Sequence, residues 1–428
     1  MGTRVSFSPK VTFRASRPFV IMSFQSFSER NLKRILRPKD FFQAKHLRTF
    51  DDFIPSIQQA HKEVQNRTLT FTNIQSSLRK GKQVLKLPSL HQQLIVRKLN
   101  DTLARVYKTR QTDRNKICRT IQTLLSDPTP YHIVKCDIKS FFETIPRKSL
   151  QNLVLANHIF SRETKWVFRR LFECPKISGS YGLPRGLALS STLSEKYLQT
   201  FDDRIKRQKG VFYYSRFVDD IIVFTGVEPA DVLNFIIDEL SKRGLKLNLR
   251  KTSLYSNSKD SFATPATAAL PPPSFDFLGY AFSKAAHNTP ACVSIALSKV
   301  KKIKSRIARS FLAYSSDHDA SLLEARIRFL TSNYYIEGSS SQSPLRAGVF
   351  YNYPIASDAT GQMHELDCFL RAQILSPRNI PFRRSSPLTS SLKKRLLTYT
   401  FEAGYSERKL QRFSAGQIAK IKRCWANE

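Results

Sequence analysis

Two β-prone runs, Val211 to Phe217 and Ile221 to Thr225, stand almost end to end with only Val218, Asp219 and Asp220 between them. β-branched and aromatic side chains suit a pleated surface, so the pair reads as a hairpin with two adjacent carboxylates at its tip. Asp-Asp alone would be a solvated turn. Both flanks here are nearly all apolar, as in strands buried within a sheet. A third run, Tyr131 to Cys136, ends in Asp137 and supplies a third carboxylate if it lies on the neighbouring strand.

Charge narrows what such a cluster is for. The 428 residues carry 70 Lys and Arg against 33 Asp and Glu, a formal net charge of +37. A surface that basic repels itself unless an acidic partner binds, and its even spread points to an extended nucleic-acid track more than to one membrane patch. A neutral-surfaced small-molecule enzyme is a poor fit. Three hard oxygen donors inside a basic protein suit Mg²⁺, which keeps open positions for water and phosphate. Two such ions about 3.5 to 4 Å apart activate a hydroxyl and stabilise a departing pyrophosphate. The chemistry implied is nucleotidyl transfer.

The six cysteines are scattered without a C-x-x-C pair, which favours a reducing, cytoplasmic setting over zinc or disulfides. No apolar run reaches the roughly 18 residues needed to span a membrane. Residues 1–22 hold Arg4, Lys10, Arg14 and Arg17 without an acid and read as a basic arm. From 23 to 130 the pattern is mostly helical, with Leu94, Ile95, Leu99, Leu103 and Val106 at helical spacing. A glycine-centred hairpin interrupts it at Arg79 to Lys82. From 131 to 282 short β runs alternate with helices, an α+β pattern, with a proline-rich loop at Ala263 to Ser274. From 283 to 428 the chain reads as helical and basic.

Five segments in order carry a family resemblance: Asp137-Ile-Lys-Ser-Phe-Phe142, Gly182-Leu-Pro-Arg-Gly186-Leu-Ala-Leu-Ser190, Phe217-Val-Asp-Asp220, Leu247-Asn-Leu-Arg-Lys251-Thr252 and Phe277-Leu-Gly-Tyr280. Together they resemble the reverse transcriptase palm motifs A to E. The resemblance implies a right-hand fold of fingers (23–130), palm (131–282) and helical thumb with C-terminal region (283–428), and RNA-templated DNA synthesis from dNTPs. By position, Asp137, Asp219 and Asp220 match the acids that bind two Mg²⁺ ions, and Phe142 matches the bulky gate that excludes a 2′-hydroxyl. Gly182 to Ser190 matches the loop against template and nucleotide, with glycines letting the backbone approach the ligand. Lys251 matches the lysine that protonates pyrophosphate or stabilises its charge. Phe277, Leu278, Gly279 and Tyr280 match the primer grip. The family usually has glutamine where Arg185 stands, and often proline where Ser191 stands; an arginine offers a bidentate contact glutamine does not.

Among upstream basic residues, Lys82, Lys86, Arg97 and Arg114 are candidates for holding the nucleotide triphosphate or the nucleic acid. The helix-like stretch Lys299 to Arg309 sets Val300, Ile303 and Ile307 on one face, and Lys301, Lys302 and Lys304 are the candidates for tracking a duplex backbone. Leu87-Pro-Ser-Leu90, Asp113-Arg-Asn115 and Leu-Ser-Ser-Thr-Leu-Ser-Glu195 resemble the unknown-group bacterial reverse transcriptases of phage defence, and the opening at Ser26 resembles their type 3 system, in which two reverse transcriptases work with a noncoding RNA. That implies a noncoding RNA template, a DNA product and a companion reverse transcriptase subunit. Two rival readings share these residues: a template-independent or ribonucleotide-adding polymerase, against which the aromatic Phe142 argues, and an RNA-binding scaffold with a dead palm. Three intact, mutually repelling carboxylates argue against the scaffold.

Overall fold

The computed structural model describes residues 24–37, 40, 51–79, 81–109, 112–179, 181–257, 270–284, 291–336, 345–357, 359–375 and 388–426. The basic arm expected at 1–22 and most of the proline-rich loop lie outside these residues.

The N-terminal region builds α1 (Glu29–Lys33), α2 (Ile54–Gln65), the strands β1 (Gln75–Arg79) and β2 (Lys82–Lys86), α3 (Leu90–Tyr107) and α4 (Arg114–Ser126). The apolar spacing read along α3 is its core face: Leu94, Ile95, Leu99 and Leu103 are all fully buried. β1 and β2 form the expected antiparallel hairpin with Arg79 opposite Lys82, and Gly81 supplies the positive φ of 72° at its tip.

The palm follows. β3 (His132–Asp137) leads through the single turn α5 (Phe141–Thr144) into α6 (Arg147–Ala156), α7 (Arg162–Glu173) and the long α8 (Ala188–Lys206). β4 (Val211–Phe217) and β5 (Asp220–Thr225) form the hairpin, and α9 (Pro229–Ser241) connects to β6 (Ser253–Ser256). The sheet order is β4-β5-β3-β6 with antiparallel neighbours, so β3 lies directly beside the Asp-Asp strand.

Side-chain alternation along these strands divides the interior in two. Val134, Cys136, Ile221 and Val223 face a first core with α2, α3, α7 and α8; Ile133, Ile222 and Phe224 face a second core built on α4 and the C-terminal region. The site therefore lies on a sheet clamped from both faces.

After the palm come the hairpin β7 (Ser274–Phe277) and β8 (Tyr280–Ser283), then β9 (Cys292–Ile295), α10 (Leu297–Asp317) and α11 (Ala320–Thr331). The expectation of helix alone beyond 283 needs correction. β9 extends the β7-β8 hairpin. β10 (Asn333–Ile336) pairs antiparallel with β11 (Leu345–Gly348) and parallel with β12 (Leu410–Gln411). Helices α12 (Ala359–Leu375), α13 (Ser390–Leu397), α14 (Phe401–Ser406) and α15 (Ala415–Arg423) complete the region. Buried Asn333 joins these pieces: its side-chain oxygen accepts from the Phe350 amide at 2.9 Å and its Nδ2 donates to the Gly404 carbonyl at 2.8 Å.

Candidate active site

The last residue of β3 is Asp137, and the antiparallel register sets it opposite Asp220, the first residue of β5. The Ile138 amide donates to the Asp219 carbonyl at 3.0 Å, so the ends of both strands are stitched where the three acids stand. The hairpin closes on only Val218 and Asp219, since Phe217 pairs with Asp220. Val218 has φ 61°, an uncommon conformation for a β-branched residue. Its carbonyl accepts from Arg216 Nη1 at 2.9 Å. Arg216 is itself almost fully buried and held by two carboxylates of α8, Asp202 and Glu195, at 2.8 and 2.7 Å. These bring its guanidinium well above the ordinary arginine range despite burial, which alone would lower it. Sequence reasoning missed Arg216; the available signal was a lone charge in an apolar strand.

From the loop before β6, Asn248 donates its amide to the Asp137 carbonyl at 2.7 Å and its Nδ2 to Asp137 Oδ2 at 3.2 Å, while Lys251 Nζ lies 2.9 Å from Asp137 Oδ1. Asn248 was also missed, although it lies inside the segment that drew attention to Lys251. Burial, then repulsion from Asp219 and Asp137, pushes the Asp220 carboxyl up to about 6. Asp219 is raised as well, by burial foremost. Its hydrogen bond to Asp137 holds Lys251 above the usual lysine value. A pair of carboxyls this reluctant to ionise, beside one cation, is an environment that a divalent cation would relieve, and hard carboxylate oxygens are the right donor chemistry. Among the described residues no group of three or more His, Cys, Asp or Glu side chains converges as a ready metal cluster. The donors therefore fit Mg²⁺ in kind, with one Asp137 oxygen taken by Lys251.

Five residues beyond Asp137, Phe142 is half-buried on α5, and its carbonyl accepts from the Leu183 amide at 2.7 Å. The glycines of the loop before α8 are required first by close approach to the chain itself. A Cβ on Gly182 would meet the Glu143 and Phe142 carbonyl oxygens at 2.4 and 2.5 Å. One on Gly186, at φ 94°, would meet the Leu85 carbonyl oxygen at 2.1 Å. There the finger strand β2 bonds to the loop, the Leu85 amide donating to the Arg185 carbonyl at 2.8 Å. Arg185 forms a bidentate pair with Glu143, a residue not singled out from sequence.

The basic candidates separate. Lys86 is exposed and lines a cavity of about 200 Å³ with Arg37, Gln93 and Gly186. Arg97 also borders it, but its guanidinium is buried and committed to Asp40 at 2.6 and 2.9 Å, so it braces the fingers instead of waiting for a triphosphate. Arg114 reaches the segment expected to be the primer grip: Nε donates to the Leu278 carbonyl at 2.7 Å and Nη1 to the Asn352 carbonyl at 3.0 Å, with the guanidinium 4.9 Å over the Tyr280 ring. It staples a two-residue turn in which Leu278 and Gly279 have φ 50° and 86°, between buried Phe277 and Tyr280. On α10 the predicted apolar face holds, with Val300 and Ile307 buried and Ile303 half-buried. Lys301 is exposed and Lys302 lines a cavity of about 100 Å³. Lys304 turns instead to α12, pairing with Glu365 at 2.6 Å and lying 5.4 Å from the Phe369 ring centre.

No helix among the described residues is long and apolar enough to cross a membrane. No curated protein matches the chain significantly. Two similar solved structures are the apo telomerase of Candida tropicalis truncated from its C-terminal domain and the telomerase of Candida albicans in complex with a fragment of telomeric RNA. The first shows 12% identity and a TM-score of 0.35 over 57% of this chain, the second 13% and 0.34 over 78%. The matches span 60% and 53% of those telomerase chains. Residues 74–282 match the family model described as reverse transcriptase (RNA-dependent DNA polymerase). The β4-β5-β3-β6 sheet, its acids and all five motif segments lie inside that span. Residues 74–282 thus carry a reverse transcriptase domain, a nucleotidyltransferase domain of α+β right-hand fold.

Proposed function

We propose that the whole chain extends a primer with deoxynucleotides along an RNA, and that this RNA is a dedicated noncoding species copied in bacterial antiviral defence with a companion reverse transcriptase subunit. The observation that carries the polymerase reading is the pairing of Asp137 with Asp220 across the β3-β5 ladder, next to Asp219 and under Lys251. The defence role and the companion subunit rest on the sequence resemblance alone.

In this reading Asp137, Asp219 and Asp220 hold two Mg²⁺ ions. Bound there, the ions would supply Lewis-acid activation of the attacking hydroxyl and charge stabilisation of the leaving pyrophosphate. The protein's own part is positioning and proton handling. Lys251, more than half exposed and held above its usual pKa, stays protonated at neutral pH and can offer its proton or charge to the pyrophosphate. Phe142 fills the room a 2′-hydroxyl needs. The turn Leu278-Gly279, braced by Arg114, presses on the primer end, and Lys86 borders the path of template or triphosphate.

The test is the Asp219→Ala, Asp220→Ala double variant, assayed for Mg²⁺-dependent extension of a DNA primer on RNA and, in parallel, for RNA binding on filters. Extension is expected to vanish with binding largely retained; retained extension would overturn the site. Sequencing the RNA that copurifies with the protein addresses the template. One abundant noncoding species is expected, and a mixture reflecting the whole transcriptome would refute a dedicated template.

A further inference from the structure

Glu143 follows the gate candidate in the chain and stands at a junction of three elements. Its Oε1 accepts from Arg185 Nε at 2.5 Å and its Oε2 from Arg185 Nη2 at 3.2 Å, while Lys82 Nζ on β2 lies 3.5 Å from Oε2. The guanidinium carbon of Arg185 is 5.1 Å from the Phe142 ring centre. Phe141, fully buried, packs against the same ring at 5.3 Å with the planes 52° apart. Phe142 is therefore fixed between a core aromatic and a cation, and the cation is itself fixed by the carboxylate of the next residue. Without that cation, a half-buried phenyl on a single helical turn keeps several side-chain wells open. A glutamine at 185 would supply neither the two-point grip on Glu143 nor the cation over the ring.

Resting on the reading of Phe142 as the sugar gate, we infer that the Glu143–Arg185 pair positions this ring, so that discrimination between deoxy- and ribonucleotides depends on the pair as well as on the aromatic. Arg185 and Glu143 are here positioning residues acting through Phe142. Lys82 ties the same carboxylate to the finger hairpin, and the Leu85 amide bond to the Arg185 carbonyl fixes the loop from the other side, so the ring's setting is linked to the position of that hairpin.

The experiment measures kcat/KM for single addition of dTTP and of UTP to an oligo(dT) primer on poly(rA), and takes the ratio. Variants are Arg185→Gln, Glu143→Gln, Phe142→Ala, the double Arg185→Gln/Phe142→Ala, and the charge swap Glu143→Arg/Arg185→Glu. Each single pair variant should lower the preference for dTTP about three- to tenfold, the scale that one partly exposed bidentate pair and one cation–π contact can hold in place. The swap should restore part of the preference, and Arg185→Gln should change nothing further in the Phe142→Ala background. Should Phe142→Ala shift the ratio while both pair variants leave it unchanged, the gate stands and the positioning role falls. A shift from Arg185→Gln that persists without the ring would mean that Arg185 reads the sugar directly, which also overturns it. An unchanged ratio in Phe142→Ala would remove the gate reading itself, and this inference with it. Because the pair is partly exposed, the Glu143→Gln variant remains informative if Arg185→Gln folds poorly.

Discussion

Replacing Arg216 by methionine keeps most of the side-chain volume and deletes the charge, leaving three acceptors short of donors: Asp202, Glu195 and the Val218 carbonyl. Breaking a buried ion pair from one side costs about 3–5 kcal/mol, because the partner charge stays behind without compensation. Two features here favour the lower end. Asp202 and Glu195 keep about a fifth of their side-chain surface exposed, and the Tyr214 hydroxyl continues to donate to Asp202 at 2.6 Å. A loss of about 3 kcal/mol is therefore expected for Arg216→Met. Asp202→Asn should cost less, since Arg216 retains Glu195. The double variant should cost less than the sum, by at least about 1 kcal/mol, because one network is being broken twice. Urea denaturation with amide exchange followed along β5 reads the loss where it occurs. A released Val218 carbonyl should also let the Val218-Asp219 turn leave its left-handed setting, so the rate of nucleotide addition should fall more than RNA affinity does. Additive losses, or an unchanged exchange pattern in β5, would refute the idea that this arginine is what sets the turn.

Gly186→Ala should cost about 2–4 kcal/mol through left-handed strain and loss of the β2 contact, read by thermal melting and by faster proteolysis of the finger hairpin, whereas Gly81→Ala, with open space around it, should cost about 1. In salt titrations of RNA binding, Lys301→Ala should reduce the slope of log affinity against log salt by about 0.7 to 0.9, and Lys304→Ala by less, because Glu365 already neutralises Lys304. Burial would raise the Glu239 carboxyl, but hydrogen bonds from Arg243, Lys242 and Arg204 outweigh it and bring it down to about 2. Its stabilising contribution should therefore be complete above about 4.5 and drain away as the pH falls towards 2, and Glu239→Gln should flatten an acid-denaturation profile in that window.

The strands bearing the acids were legible because apolar, β-branched runs declare themselves locally, and Asp137 and Asp220 needed only the step to adjacent strands. The roles of the basic residues were not. Arg97 meets Asp40 from 57 positions away and Arg114 meets the Leu278 carbonyl from 164 away, and no local pattern says which cation a distant acceptor has claimed. Glu143 was overlooked for the same reason: its meaning depends on Arg185 and Lys82, which the chain brings back from both directions. The glycines before α8 signalled close approach correctly, but sequence alone does not distinguish approach to a ligand from approach to the chain's own carbonyls. β10 to β12 are too short, at four residues or fewer, to outweigh the helical pattern around them.

The division of the palm sheet between two cores has a consequence for how the chain is made. The first core closes with residues between Phe27 and Leu247, so it can assemble as soon as that stretch has left the ribosome. The second draws on residues as late as Phe401. In the interval the nascent chain already holds its acids on paired strands while Ile133, Ile222 and Phe224 on the reverse face have only α4 and Tyr131 against them, with the later part of their core still to come. Translation speed beyond β6 and early chaperone capture thus bear directly on yield. A truncation behind the palm would give a sticky half-sheet, so the C-terminal third works as an obligatory lid on the fold that carries the chemistry.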